Sequence, residues 1–443
     1  MRTQLREAPP WAPRPRPWRN RAGTFQVGCA PARSTTPGGT DLRATIAAIL
    51  AAVKQGNRGL AANGTTIFEV MSGLAREHGA INLGQGFPEG NGPDAVREAA
   101  ARAVSDGPNQ YPPMFGLPAL RQAVAAHAGR FYGLDIDGER EVMVTSGATE
   151  ALACCLLGLL EQGDEVVVFE PVYDTYLPMI ERAGGIARVV RLEPPAWRVD
   201  RDALAAAFGP RTKAVIVNSP MNPTGAVFGD DELAAIAEQV VAHDAYAICD
   251  EVYEHLVFDG LRHRPLMTFP GMRERTARIG SAGKTFSLTG WKVGYLCAAP
   301  ALLAPIARAH QYLCFCTPPP LQAAVAVGLN LPDTYFSGLA ADMQANRDRL
   351  RAGLQRIGFA VDQSHGTYFL TVDVASIGWT GTDLEFCKTI TREAGVAAIP
   401  VSAFYASDPP AGQVRFAFCK PTASLDGAVE RLGEWLARPD RTR

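Results

Sequence analysis

The chain has 443 residues, 47% of them apolar and 20% charged, which suffices for two or three domains around a substantial core. No apolar run approaches the ~20 residues of a membrane span. With 43 Lys+Arg against 45 Asp+Glu the net charge is −2, so no global basic field exists to hold a nucleic-acid backbone.

The charge is unevenly placed. Residues 1–43 carry eight Arg, no Lys and only Glu7 and Asp41 as acids, a local +6 that leaves −8 for the rest. Residues 1 to about 40 show no helical or strand period and are Pro- and Arg-rich (Pro9, Pro10, Pro13, Pro15, Pro17), so a disordered extension is expected over 1–55, dispensable over 1–40, or a start codon assigned too far upstream. The segment lacks a signal peptide's apolar stretch, and its prolines oppose a transit peptide's amphipathic helix. The nine cysteines include no C-x-x-C pair and the seven histidines no i, i+4 pair. No metal site or disulfide framework is expected; the cysteines read as reduced core residues of a cytoplasmic protein.

From about residue 91, helical patterns (93–104, 117–132, 232–243) alternate with short β-branched runs at 141–145, 165–170, 187–192, 212–218, 246–250, 277–280 and 294–298. Strands separated by helical lengths imply crossovers, and hence an α/β architecture with a mainly parallel sheet covered on both faces. After Pro318-Pro319-Pro320 the pattern changes to an Arg-rich helix (334–357), strands at 366–372 and 413–418 and a last helix at 425–437, a second, α+β layer. No internal repeat is visible.

In such sheets ligands collect at the carboxyl ends of the strands. Ser146-Gly147-Ala148-Thr149-Glu150 follows one strand and opens an Ala/Leu-rich helix, a geometry suited to phosphate or to simple capping. Asp250 ends an apolar run and, partly buried, requires a cationic partner, whether for chemistry or for a structural salt bridge. Lys284 stands among small residues (Gly280-Ser-Ala-Gly-Lys284-Thr-Phe), with room for a Schiff base and with partial desolvation to lower its pKa; alone it reads more often as a surface lysine.

In order, the chain also carries Asn82-Leu-Gly-Gln-Gly86-Phe-Pro, Asn109-Gln-Tyr111, Asn218-Ser-Pro-Met-Asn222-Pro-Thr-Gly, Asp250-Glu-Val-Tyr253, Gly290-Trp-Lys292-Val-Gly and Val414-Arg415-Phe. This series resembles the class I/II aminotransferases, pyridoxal-phosphate (PLP) enzymes of fold type I, from about residue 58 to 437. The resemblance implies a large PLP-binding domain over 91–319 on a seven-stranded, mainly parallel sheet. Residues 56–90 (an N-terminal arm and part of the small domain) would join 320–443 in the small α+β domain. It further implies that Lys284 holds PLP as a Schiff base and moves the substrate proton, and that Asp250 pairs with the ring nitrogen. Tyr253 and Asn222 would donate to the ring's 3-oxygen, and Tyr173 would stack on the ring. Ala148 and Thr149, with Ser281 and Lys292, would hold the phosphate. Many relatives have Arg where Lys292 stands, which keeps the charge without the bidentate geometry. Arg415, a costly charge in an apolar strand, and Gly86 would hold the substrate carboxylate. Tyr111 would reach the phosphate of the neighbouring subunit, so a homodimer is implied.

The nearest branch of the resemblance contains methionine aminotransferases and kynurenine/glutamine transaminases. Phe68 matches a pocket aromatic, and Phe315 an aromatic from the other subunit. An aromatic-lined pocket favours uncharged, fairly large donors such as methionine, aromatic amino acids, kynurenine or glutamine, passing their amino group to a 2-oxo acid by a ping-pong reaction. Cys316 stands where some kynurenine transaminases have His. N-succinyldiaminopimelate transamination and a cysteine-conjugate or cystathionine β-lyase activity are the alternatives; a DNA-binding regulator is opposed by the short, Pro-rich N-terminus.

Overall fold

The computed structural model describes Asn57 and residues 64–439; the extension expected over 1–55 lies outside the described residues. A helix at Ile67–His78 begins where the Thr66 side chain accepts the Glu69 N–H and ends at Gly79, whose φ of 58° is the left-handed conformation that glycine tolerates. The chain then enters a two-residue strand, β1 (Ile81–Asn82).

Seven strands build the main sheet: β2 (Val142–Thr145), β3 (Glu165–Glu170), β4 (Ile186–Arg191), β5 (Thr212–Asn218), β6 (Tyr246–Asp250), β7 (Thr276–Ser281) and β8 (Gly294–Cys297). Their order is β2-β8-β7-β6-β5-β3-β4. All neighbours run parallel except β8, which is antiparallel to both β2 and β7. The run Glu165-Val-Val-Val-Phe-Glu170 is buried along its whole length, as a central strand covered on both faces requires. On one face, Ile216, Ile248 and Ile279 of β5–β7 pack with Leu152 and Leu156 of helix Gly147–Leu159 and Leu302 and Ile306 of helix Pro300–Leu313. On the other, Val215, Val217 and Ala247 pack with Leu204 of helix Arg201–Ala207 and Leu233 and Ile236 of helix Asp230–Ala242. Asn218, Asp250 and Ser281 therefore come together at the carboxyl ends of three adjacent strands.

A second, antiparallel sheet combines β9 (Ala360–Val361), β10 (Phe369–Asp373), β12 (Ile399–Pro400) and β13 (Gln413–Ala417) in the order β12-β13-β10-β9. Between them β11 (Val396–Ala397) pairs in parallel with β1, which brings residues near 81 to the C-terminal part of the chain. Helices Asp333–Arg356 and Thr422–Leu436 cross so closely at Gly353 that a Cβ there would stand 2.7 Å from Val429 Cγ2.

Several sequence expectations need correction. The strand expected from 366 begins at Phe369, because Thr367 has a φ of 65° and Gly366 packs against Pro220 and Leu256. The two-residue strands β1, β9, β11 and β12 are too short to show a period. Cys314 is exposed and Cys316 half-buried, at the end of helix Pro300–Leu313, while the other six described cysteines are buried; the eight are free thiols. Among the described residues no helix is long and apolar enough to cross a membrane.

Candidate active site

Asn218 and Asp250 are paired in register at the ends of β5 and β6, and the Asn218 side-chain amide donates to the Asp250 carbonyl at 2.9 Å. Asp250 is only 6% exposed. Its Oδ2 accepts the Tyr176 hydroxyl at 2.6 Å, while Oδ1 is buried without a partner. Burial pushes this carboxyl above its usual range; the Tyr176 hydrogen bond, the Val252 N–H and the nearby Lys284 ammonium oppose the shift. Within the chain the side-chain bond Asp250 makes is to a neutral phenol, so a cationic partner of the kind the sequence calls for would come to Oδ1 from a bound ligand.

Lys284 lies in the short helix Ala282–Thr285, directly after β7. Its Nζ stands 5.7 Å from the Tyr253 ring centroid and 5.8 Å from that of Tyr368. Desolvation lowers its pKa; Cys419 and Asp250 work against that shift, while Arg415 and Lys292 reinforce it. A lysine held this way keeps a larger fraction of nucleophilic free amine than a surface lysine.

The third component is an anion cradle. Helix Gly147–Leu159 starts at Gly147, where φ is 75° and a Cβ would stand 3.2 Å from Lys292 Nζ. Only glycine fits that turn with the ammonium so close. The first-turn N–H groups of Gly147, Ala148 and Thr149 have no intrahelical acceptors, and the positive end of the helix dipole adds to the Lys292 charge. Ser281, Lys284 and Lys292 line the same cavity as these residues, as do Tyr173, Asn222, Asp250 and Tyr253.

Arg415, at the centre of β13, is 1% exposed. Nη1 donates to Asn222 Oδ1 and Nη2 to the Gly84 carbonyl, both at 2.7 Å, and Nε is buried without a partner. Its guanidinium carbon lies 3.9 Å from the Phe369 ring centroid, 5.2 Å from Phe68 and 5.3 Å from Phe404. Desolvation pulls its pKa down to about 10, still charged at neutral pH. A buried guanidinium without a carboxylate partner among the described residues is an anion site in waiting. Because Asn222 Oδ1 is engaged by Arg415, the group Asn222 presents to a ligand is its NH2. Gly86 is needed for close approach, since a Cβ there would stand 2.3 Å from Phe369 Cζ; its carbonyl accepts the Tyr368 hydroxyl.

Phe68 packs edge-on against Phe404 at 5.8 Å, beside Arg415. Phe68, Gly86 and Arg415 adjoin the cavity residue Asn222 or its neighbours without lining the cavity themselves, and Tyr111 and Phe315 also lie outside it: they stack edge-on at 5.8 Å on the surface, and Tyr111 is 84% exposed. Sequence reasoning missed Tyr176, Tyr368, Phe369 and Asn218. Tyr176 stands three residues after Tyr173 at the start of a helix, Tyr176–Arg182, which was the one local signal available.

The donor set fits pyridoxal phosphate. An unpartnered buried carboxylate oxygen suits a protonated ring nitrogen, a glycine-lined helix N-terminus with an ammonium suits a phosphate, and a desolvated lysine suits an aldehyde.

Comparison with known proteins agrees. Residues 78–432 match the family described as aminotransferase class I and II. A probable N-succinyldiaminopimelate aminotransferase of Mycobacterium tuberculosis is 49% identical over 85% of this chain and 97% of its own length. The methionine aminotransferase of Escherichia coli is 43% identical over 83% of this chain and 95% of its own. The solved structure of the N-succinyldiaminopimelate aminotransferase from Mycobacterium tuberculosis superposes with a TM-score of 0.84, at 49% identity, over 86% of this chain and all of that one. With a seven-stranded sheet, a lysine–aspartate cavity and this breadth of likeness, the chain belongs to the class I and II aminotransferases, the transaminases of fold type I that use pyridoxal 5'-phosphate.

Proposed function

We propose that the enzyme transaminates uncharged, fairly large amino acids such as methionine and aromatic amino acids, with a 2-oxo acid as acceptor. The observation that carries this reading is the aromatic wall of Phe68, Phe369 and Phe404 around Arg415. Arg415 offers two fixed hydrogen bonds and an open Nε, so it can anchor an α-carboxylate while the rings receive an apolar side chain. Kynurenine and glutamine fit the same description.

In this reading the phosphate of PLP is held by the N–H groups of Ala148 and Thr149 with Ser281 and Lys292, and the ring by Asp250, Tyr253, Asn222 and the face of Tyr173. The bound cofactor supplies an aldehyde for amine capture and a ring that withdraws electrons from the substrate α-carbon. Asp250 would keep the ring nitrogen protonated, which the hydrogen bond from Tyr176 favours by stabilising the carboxylate. Lys284 Nζ takes and returns the α-proton. Tyr368 holds the Gly86 carbonyl, fixing the turn that closes over the carboxylate. Tyr111 and Phe315, exposed and in edge-on contact, would enter the site of a second copy, so the working form is a homodimer. Residues 91–319 would form its large domain and 56–90 with 320–443 its small one.

A second reading, transamination of N-succinyldiaminopimelate, is favoured by the 49% identity to the mycobacterial relative. Single-turnover mixing of the holoenzyme with methionine, phenylalanine, kynurenine, glutamine or N-succinyldiaminopimelate, followed by cofactor absorbance, separates the two. Fastest conversion by methionine or an aromatic donor supports the first. Conversion by N-succinyldiaminopimelate alone overturns it. Release of pyruvate without an oxo-acid acceptor would instead indicate β-elimination.

A further inference from the structure

Behind the anion cradle lies a buried glutamate–histidine contact that the chemistry above does not use. Glu150 is the fourth residue of helix Gly147–Leu159, and its Oε2 accepts the Ser146 N–H at the helix entry. Its Oε1 faces His310 Nδ1 at 2.6 Å. His310 has a completely buried side chain in the last turn of helix Pro300–Leu313, and its Nε2 faces the Met114 carbonyl oxygen at 2.9 Å. A carboxylate and a carbonyl are both acceptors. With Glu150 ionised, both contacts are hydrogen bonds when both ring nitrogens carry protons, that is, when the ring is an imidazolium.

We propose that His310 is a positioning residue: its cationic ring neutralises Glu150 behind the phosphate cradle and ties that cradle, through Met114, to the segment that presents Tyr111. The proposal rests on reading Gly147–Thr149 as the phosphate site. A bare carboxylate at this place would repel a phosphate dianion and compete for the same helix-end donors. Paired with His310 it caps the Ser146 N–H and leaves the N–H groups of Ala148 and Thr149 free for the ligand. Because Met114 lies three residues from Tyr111, the same ring links the cradle of one site to a residue expected at the partner's site.

The other titratable groups around the pair do not supply the balancing charge. Cys154 Sγ lies 3.9 Å from Glu150 Oε1, and burial pushes this thiol well up, so it stays neutral. Burial raises the Cys314 and Cys316 thiols as well. Glu150 is the one charged partner facing the ring among the described residues, and with the Met114 carbonyl it raises the His310 pKa despite burial. A base with a raised folded pKa stabilises its site below that value and loses the contribution as pH rises through it.

The test is PLP affinity of the full-length apoenzyme, measured by titration between pH 6.5 and 9 for wild type, His310→Asn, His310→Lys and Glu150→Gln with and without His310→Asn. At pH 7 His310→Asn should raise the Kd about tenfold, equivalent to about 1.4 kcal/mol. His310→Lys, which keeps a cation, should stay within about threefold. The His310→Asn to wild-type ratio should narrow as pH rises and wild-type His310 loses its proton. In the Glu150→Gln background His310→Asn should change little. An unchanged Kd in His310→Asn, or an equal loss in His310→Lys, overturns the proposal while PLP binding by wild type leaves the site assignment standing; a wild type that does not bind PLP overturns both. Should the variants fail to fold, ring-15N labelling of wild-type histidines decides it: His310 must show two protonated nitrogens at pH 7, and one bare nitrogen refutes the proposal.

Discussion

Tyr176→Phe isolates the neutral donor on which the charge of Asp250 depends. The two side chains are buried and their bond is 2.6 Å long. Phenylalanine keeps the ring and its packing, so the change removes one oxygen and no core volume. A hydrogen bond to a charged group contributes about 1.5–3 kcal/mol, and its loss leaves the buried carboxylate with less solvation. The Asp250 pKa should therefore rise further above its already raised value. The fraction of Asp250 able to hold a protonated ring nitrogen falls accordingly.

The expected outcome is a PLP Kd and a single-turnover half-reaction rate both worse by about 10- to 100-fold, the range those 1.5–3 kcal/mol span. The stability of the apoenzyme carries a sign that checks the cause. An acid raised in the folded state is destabilising once ionised, so the penalty appears as pH climbs above the usual 3.8 of the aspartate carboxyl. The variant should therefore lose more stability than wild type between acidic and neutral pH, not less. Tyr173→Phe is the control, since no Tyr173 hydroxyl bond to Asp250 is present. Wild-type affinity, rate and pH-dependence in Tyr176→Phe would refute the argument that Tyr176 holds the Asp250 charge.

Arg415→Lys keeps a cation but gives up the planar fork and the stacking on Phe369, so KM for the amino donor should rise about 10- to 100-fold with a smaller change in kcat; steady-state kinetics with an unchanged KM would remove Arg415 from the carboxylate site. Asp362 is buried, accepts from Thr371 and Trp197, and has its pKa raised to about 6 by desolvation. The fold should lose about 3 kcal/mol at this site as pH rises from 3.8 through 6, and Asp362→Asn should lack that loss; a wild-type-minus-variant stability difference that is flat between pH 4 and 6.5, in urea unfolding of the full chain, would contradict it.

The residues legible in the sequence are those whose type conflicts with their surroundings. Asp250 ends a strand otherwise made of Tyr, Ala, Ile and Cys, and Arg415 interrupts Val414-Arg-Phe416, so each stands out against buried apolar neighbours. Gly147 and Lys284 are visible because small residues cluster where backbone must approach a ligand. The residues that were not legible are apolar-compatible and act at long range. Tyr176 reaches Asp250 across 74 positions and Tyr368 reaches Gly86 across 282, and a tyrosine in an apolar context reads as core packing until its hydroxyl is seen to find a partner. The two-residue strands are hidden for a related reason: β11 and β12 owe their existence to pairing with β1 and β13, not to any period of their own. Local chemical conflict marks where charge sits, whereas the protonation state of that charge is set by neutral donors and rings brought in by the fold. A substitution at Tyr176 or His310 should accordingly shift pH profiles and cofactor affinity, whereas one at Lys284 should remove the reaction itself.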